Sequence, residues 1–270
     1  MKKYGIEVSF INYQNLEELE ATIKDNTTMI YIETPSNPLL KVSDIKAIVE
    51  IAKKHNIKTV ADNTFMTALY QKPLDLGCDI VIESLTKFVN GHSDVTAGCA
   101  VTNNEEIANE ICLLQKNFGG ILGVEDAWLI LRGMKTMGLR MEKSVENAKI
   151  LTKFLETQDK IKKVYYPNLT SCKFYDIHTE QASSGGAVFS FEFFEQDDLK
   201  TFLKKIKIPI YAISLGGVES IISHPATMSH ACMSEEERLA QGVTQTLLRF
   251  SCGVEDSEDL IDDLKQALNN

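Results

Sequence analysis

The first half of the chain alternates short apolar runs with amphipathic stretches of helical length, and this alternation constrains the fold more than any other feature. MIYIET (29–34), TVADN (59–63) and DIVIE (79–83) read as strands, the last as a buried one because Ile80, Val81 and Ile82 are consecutive. YGIEVSFIN (4–12) adds a further strand by its two-residue alternation. Between these runs, LEELEATI follows a capping Asn15 with Glu18 at the capping-box position. DIKAIVEIAKKHN starts after Ser43 and puts Ile45, Ile48, Val49 and Ala52 on one face. Strands separated by helices of this length need crossover connections, which predicts an α/β fold with a mainly parallel sheet.

From Glu125 the pattern changes. EDAWLILRGMK and LRMEKSVENAKILTKFLE read as long helices, the second opening after Gly138. GAVFSFEFF (186–194) alternates with period two, DDLKTFLKKI is a helix, TLLRFS (246–251) a strand and SEDLIDDLKQAL a closing helix. This mixture predicts a smaller C-terminal α+β domain, with a boundary near residue 136: residues 1–136 form the large domain and 137–270 the small one. At 270 residues, 44% hydrophobic and 24% charged, the chain has the composition of an ordinary globular protein. A net charge of −10 argues against unspecific binding to nucleic acid or to an anionic membrane. No apolar run approaches the roughly 20 residues of a membrane span. The N-terminus has no apolar leader, and the six cysteines are scattered without a CxxC pair, which fits reduced thiols in the cytoplasm.

In an open α/β sheet, ligands sit at the carboxyl ends of the strands. Glu33–Pro38 (ETPSNP), Asp62–Thr64 (DNT) and Ser84–Lys87 (SLTK) all fall there, so an acid, several hydroxyls and a lysine share one rim. An amine becomes a nucleophile when desolvation and nearby positive charge keep it partly neutral. A lysine facing a cofactor aldehyde, with an acid facing a pyridinium nitrogen, is what a protein contributes to pyridoxal phosphate chemistry. On spacing alone, a solvated loop lysine beside two hydroxyls is an equally good reading. Arg249, between Leu248 and Phe250 in a strand, needs an acidic partner or a ligand, and its planar fork suits a carboxylate. His224 and His230 lack the i, i+4 spacing and the nearby acids of a metal site. Cys232 and Cys252 read as core or rim residues rather than nucleophiles.

ETPSNP (33–38), ADNTF (61–65), ESLTKFVNGHSDVTAG (83–98), AISLGGVESIISHPATMSH (212–230) and LLRFSCGVED (247–256) resemble, in order, the signatures of the Cys/Met-metabolism pyridoxal-phosphate enzymes. The resemblance runs from about Gly5 to Leu268. It implies the type I, aspartate aminotransferase-like fold and pyridoxal 5′-phosphate as cofactor. It also implies a small sulfur amino acid as substrate and assembly as a homo-oligomer, a dimer of dimers. Position by position, Lys87 resembles the lysine that the family links to the cofactor's aldehyde, and Asp62 the acid that pairs with the ring nitrogen. Asn37 resembles the amide on the phenolic oxygen, and Ser84 and Thr86 resemble phosphate ligands, with Thr64 a weaker contact. Ser214 and Arg249 resemble the pair that holds the substrate's α-carboxylate. Four of these have a plain alternative: Asp62 as a turn former, Asn37 as a turn residue before proline, Thr64 as a strand-end hydroxyl, Arg249 in a structural salt bridge. The glycines of SLGGVES read as permitting a tight turn on the substrate side.

The activity implied is carbon–sulfur lyase action in trans-sulfuration, of the cystathionine β- or γ-lyase type, with γ-replacement by a cystathionine γ-synthase as the alternative. Two departures bear on it. Ile213 stands before Ser214 where many cystathionine γ-lyases and bacterial γ-synthases carry a glutamate able to meet the substrate's distal amine, which weakens a strict γ-lyase and leaves the β-lyase or a broader lyase open. Family members also begin with a leading segment that carries a glycine-rich turn, a ring-stacking tyrosine and a tyrosine and arginine for the neighbouring subunit's phosphate. These have no counterpart here, so a truncated, non-catalytic remnant is the reading from another class.

Overall fold

The structure is a computed structural model and describes residues 2–269. The elements are α1 (Leu16–Thr22), β1 (Met29–Glu33), α2 (Ile45–Lys54), β2 (Lys58–Asp62), α3 (Thr67–Tyr70) and β3 (Ile80–Ser84). A π-type turn, Leu85–Val89, follows. Next come β4 (Gly98–Val101), α4 (Glu105–Phe118), α5 (Val124–Met134) and α6 (Met137–Leu155). The chain continues through β5 (Ile161–Tyr165), α7 (Tyr175–Gln181), β6 (Val188–Phe193), α8 (Gln196–Lys205), β7 (Ile210–Tyr211) and β8 (Ile221–Ser223). It closes with α9 (Glu235–Ala240), β9 (Leu247–Ser251) and α10 (Ser257–Leu268). No helix among the described residues is long and apolar enough to cross a membrane.

Two sheets organise these elements. The first has the order β1-β2-β3-β4, parallel across β1, β2 and β3, with β4 antiparallel at one edge. Helix α2 packs Ile48, Ile51 and Ala52 with Ile30 and Ile32 of β1, while Ile45 and Val49 meet Ala61 of β2. Its N-cap is Asp44, whose carboxylate accepts the Ala47 N–H, and not Ser43, whose own N–H donates to Thr34 Oγ1. Asn15 caps α1 as its residue type requires, accepting the Glu18 N–H. The second sheet has the order β5-β6-β9-β8-β7 and is antiparallel except for the β7–β8 pair. Its core is aromatic: Phe189, Phe191 and Phe193 of β6 pack with Phe202 of α8 and Phe250 of β9.

Three readings from the sequence differ from the structure. No strand forms over residues 4–12; Ile6, Val8 and Phe10 are exposed, and β1 pairs only with β2, so the alternation there lacks a ladder to join. β3 is not buried on both faces, since Ile80 and Ile82 are half-buried. β6 is buried at all six positions, because its polar side is also covered. There Ser190 Oγ donates to Pro38 O at 2.6 Å and Glu192 accepts from Tyr165 and Thr244.

A third cluster joins the two sheets. Leu40, Phe65 and Phe88 pack with Met141 and Val145 of α6 and with Ala187, Val188 and Leu215. The carboxyl ends of β1, β2 and β3 therefore open toward segments carried by the second sheet.

Candidate active site

Asn37 lies in the turn after β1, Asp62 ends β2, Ser84 ends β3, and Thr86 and Lys87 occupy the turn that follows. Lys87 breaks the helical run of that turn, with φ −95° and ψ −130°. Its Nζ donates to Ser214 Oγ at 2.8 Å. Burial, and then the Arg249 charge, hold the Lys87 amine below its ordinary pKa. Ser214 has φ +95°, a left-handed conformation that costs a non-glycine residue on the order of 1–3 kcal/mol and must be held by its surroundings.

Those surroundings centre on Arg249. Its Nη2 donates to Ser214 O at 2.5 Å and its Nη1 to Asn37 Oδ1 at 3.0 Å, while Nε is buried without a partner. The residue is 4% exposed in β9, between Ser190 of β6 and Ser223 of β8. No carboxylate pairs with it among the described residues, so the salt bridge that its position in a strand allowed is not made. Burial lowers its pKa to about 10, which leaves it cationic at neutral pH. Because Asn37 turns Oδ1 toward Arg249, its Nδ2 protons are directed elsewhere.

A second chain of contacts runs along the same rim. Asp62 Oδ1 accepts the Thr64 N–H at 3.0 Å, and Thr64 Oγ1 accepts the Ser84 N–H at 2.9 Å. Thr86 Oγ1 donates to Ala97 O at 3.2 Å and accepts the Ala97 N–H at 2.9 Å, so this hydroxyl is engaged by the backbone at the entry to β4. All eight residues singled out from the sequence thus lie on the strand-end rim or on the segments facing it.

Two residues of this site escaped the sequence reading. Tyr31 donates its hydroxyl to Asp62 Oδ2 at 3.1 Å. Glu33 stands opposite Asp62 in the β1–β2 register, close to the Asn37 backbone. Solvent reaches Glu33, yet protein crowds the carboxylate, and this crowding together with Asp62 pushes its pKa up to about 7. Glu33 therefore lies between Asp62 and the Asn37 backbone. The available signal was the two-residue spacing of Tyr31 and Glu33, which puts both on one face of β1.

The Ile213 side chain is 67% exposed beside Ser214. Cys252 is fully buried and its thiol is pushed well up by burial, consistent with a core residue and not a nucleophile.

A lysine amine whose pKa is lowered by burial, a buried guanidinium without a carboxylate partner among the described residues and a strand-end carboxylate thus share one rim of an α/β protein. The chain belongs to the Cys/Met metabolism PLP-dependent enzyme family, whose signature matches residues 1–269. It is 47% identical over 268 residues to the cystathionine beta-lyase MetC of Bacillus subtilis (strain 168), covering 99% of this chain and 69% of that protein. It is 43% identical over 261 residues to the cystathionine gamma-synthase of Haemophilus influenzae, covering 97% and 66%. The solved structure of cystathionine gamma-lyase from Lactobacillus plantarum, complexed with L-serine, matches with a TM-score of 0.96 at 38% identity over 98% of this chain and 70% of that one. The fold is that of the pyridoxal-phosphate trans-sulfuration enzymes, and the cofactor is pyridoxal 5′-phosphate.

Proposed function

We propose that the chain works as a carbon–sulfur lyase on cystathionine or a related sulfur amino acid, with Lys87 as its reactive amine. The observation that carries this reading is the link from Lys87 Nζ through Ser214 to Arg249, which sets a proton-accepting amine beside a carboxylate receptor. The donor set fits the cofactor. Lys87 would hold its aldehyde carbon and Asp62 a proton on its ring nitrogen. Asn37 Nδ2 would meet the phenolic oxygen, and Ser84 and Thr64 would receive the phosphate, joined by Thr86 once its hydroxyl turns from Ala97 O. When bound, pyridoxal phosphate supplies an electron sink for charge that develops next to the substrate's amine.

The chain's own residues do the rest. Arg249 binds the α-carboxylate with its fork, and Ser214 orients the Lys87 amine. Nζ takes the proton from the substrate's Cα, a role that the lowering of its pKa by burial and by Arg249 favours. Breaking the Cβ–S bond then expels the thiol, and hydrolysis of the remainder yields pyruvate and ammonia. Removal of a Cβ proton by the same amine would instead open the Cγ–S bond. Ile213 places no charge beside Ser214 for a distal amine, which favours the β-elimination. The second reading, γ-replacement, rests on the comparable identity to a γ-synthase. The division near residue 136 belongs to the same proposal: each side carries its own sheet, and the second supplies Ser214 and Arg249.

Borohydride reduction of cofactor-treated protein should leave a phosphopyridoxyl group on Lys87, and mapping it to another lysine would refute the assignment. Pyruvate from cystathionine identifies the β-lyase, 2-oxobutyrate the γ-lyase, and cystathionine formed from cysteine plus an O-acylhomoserine the synthase.

A further inference from the structure

Arg140, on α6, is a buried cation that the reaction does not use. Its Nη1 donates to Phe88 O at 2.8 Å, and its Nη2 donates to Val89 O at 3.1 Å and to Gly133 O at 2.9 Å. Its Nε donates to Thr136 Oγ1 at 3.2 Å. No carboxylate joins this set among the described residues, and burial lowers the guanidinium's pKa. Two of the three carbonyls belong to the residues directly after Lys87. Gly91, whose N–H donates to Lys87 O at 2.7 Å, lies so close that a Cβ there would stand 1.9 Å from Arg140 Nη1. On the other side of the turn, a Cβ on Gly216 would stand 2.7 Å from Phe88 N and 3.1 Å from Lys87 Cα. The Lys87 backbone is thus held between a guanidinium fork and a glycine.

We propose that Arg140 is a positioning residue for the Lys87 amine, gripping the main chain immediately after Lys87 from helix α6 and so setting where Nζ stands. The proposal rests on Lys87 being the cofactor-linked lysine. A buried, uncompensated cation is a poor device for stability alone, since an apolar side chain of similar volume packs without desolvation cost. A planar fork with donors in fixed directions is suited to hold several carbonyls in one relative arrangement, which an ammonium is not. The lysine turn lacks a regular helical ladder at Lys87, so its geometry needs an external brace.

The test compares two probes on the whole chain, pyridoxal 5′-phosphate and 4-deoxypyridoxine 5′-phosphate, which lacks the aldehyde and cannot link to an amine. Dissociation constants from equilibrium dialysis give the advantage that linkage confers. In Arg140→Lys, the deoxy probe should bind within about threefold of the parent, while the advantage of the aldehyde falls about tenfold or more, because a small misplacement of a reacting group is costly. Borohydride-trapped adduct on Lys87 should fall in parallel. Equal weakening of both probes would mark Arg140 as holding the fold only, and unchanged constants would leave it no role; either result overturns the proposal. If the parent chain shows no preference for the aldehyde and no adduct on Lys87, the Lys87 assignment fails and takes this proposal with it. Should Arg140→Lys not fold by circular dichroism, Thr136→Val removes the Nε contact together with the bond from Thr136 Oγ1 to Gly133 O, one of the carbonyls that Arg140 holds. It should lower the aldehyde advantage by about two- to threefold, in keeping with modest hydrogen bonds, and no change there would also overturn the proposal.

Discussion

Arg249 is buried against neutral oxygens, with Nε unpartnered, so its charge is uncompensated until a carboxylate arrives. Arg249→Ala should therefore raise the Michaelis constant for every amino-acid substrate about ten- to a hundredfold, the worth of a charge-assisted contact of about 1.5–3 kcal/mol. Steady-state kinetics on several substrates checks this, and a loss confined to one substrate would put Arg249 outside carboxylate binding. Glu33 makes a prediction about pH. Its folded-state pKa is raised from 4.5 to about 7, so its stabilising contribution is complete below pH 4.5 and is lost as the pH rises to about 7. Glu33→Gln should abolish this fall and exceed the parent in stability above pH 7. The gain should be about 1 kcal/mol, well short of the full shift because solvent screens the carboxylate. Urea titrations at pH 5 and pH 8 would reveal it, and a variant less stable than the parent at pH 8 would contradict the assignment. Arg249 stood out in the sequence as a charged group inside a strand, whereas Lys87 and Asp62 were only placed at strand ends by their spacing and took their expected roles from the resemblance. Glu33 was not legible, because its partner Asp62 comes from another strand and only the register brings them together. Arg140 was not either, since a lone arginine on a long helix reads as part of the solvated face.

Gly216 lets one segment touch another at the reactive turn. It has φ +79°, and a Cβ there would meet Phe88 N at 2.7 Å and Lys87 C at 3.0 Å. Gly216→Ala should cost at least about 2 kcal/mol of stability, since both the backbone conformation and the backbone contact oppose a methyl group. It should also reduce cofactor capture at Lys87; denaturant melts and borohydride trapping measure the two effects. A variant of parental stability with full trapping would mean that the turn relaxes freely around the methyl. The elements that the sequence made legible are those with a strong helical period, such as α2 with its apolar face and the closing helix α10. The edge strand β4, four residues including a glycine, offered too little pattern, and the alternation in residues 4–12 promised a strand that has no partner. The two-residue period of β6 was correct, but the burial of its polar face by Pro38, Tyr165 and Thr244 depends on distant parts of the chain. Period is a local property of sequence, whereas pairing and cover are decided by tertiary contacts.

Across the whole molecule, the proposed site lies where the first sheet leads into Lys87 and the second carries Arg249, and the Leu40–Phe88–Met141–Leu215 cluster packs between the two. The surface beyond that junction is less complete. Helix α4 buries none of its residues, and the run from α4 into α5 exposes Leu113, Leu114, Phe118 and Ile121, with Val124 at 89% and Leu131 at 63%. Exposed apolar surface concentrated on one run of chain is uncommon on a monomer and marks a surface that associates. The chain should therefore self-associate, with this run becoming covered. Trp128 reports on it directly, being the single tryptophan of the sequence, 57% exposed and stacked on Arg132 within α5. On raising the protein concentration, its emission should shift to the blue and its quenching by iodide should fall, while light scattering gives a mass above that of one 270-residue chain. Leu131→Glu together with Phe118→Ser should move that transition to higher concentration, because the exposed side chains contribute little to the folded core they would leave intact. A chain that scatters as a monomer throughout, with Trp128 equally quenchable at every concentration, would show that this run stays open to solvent.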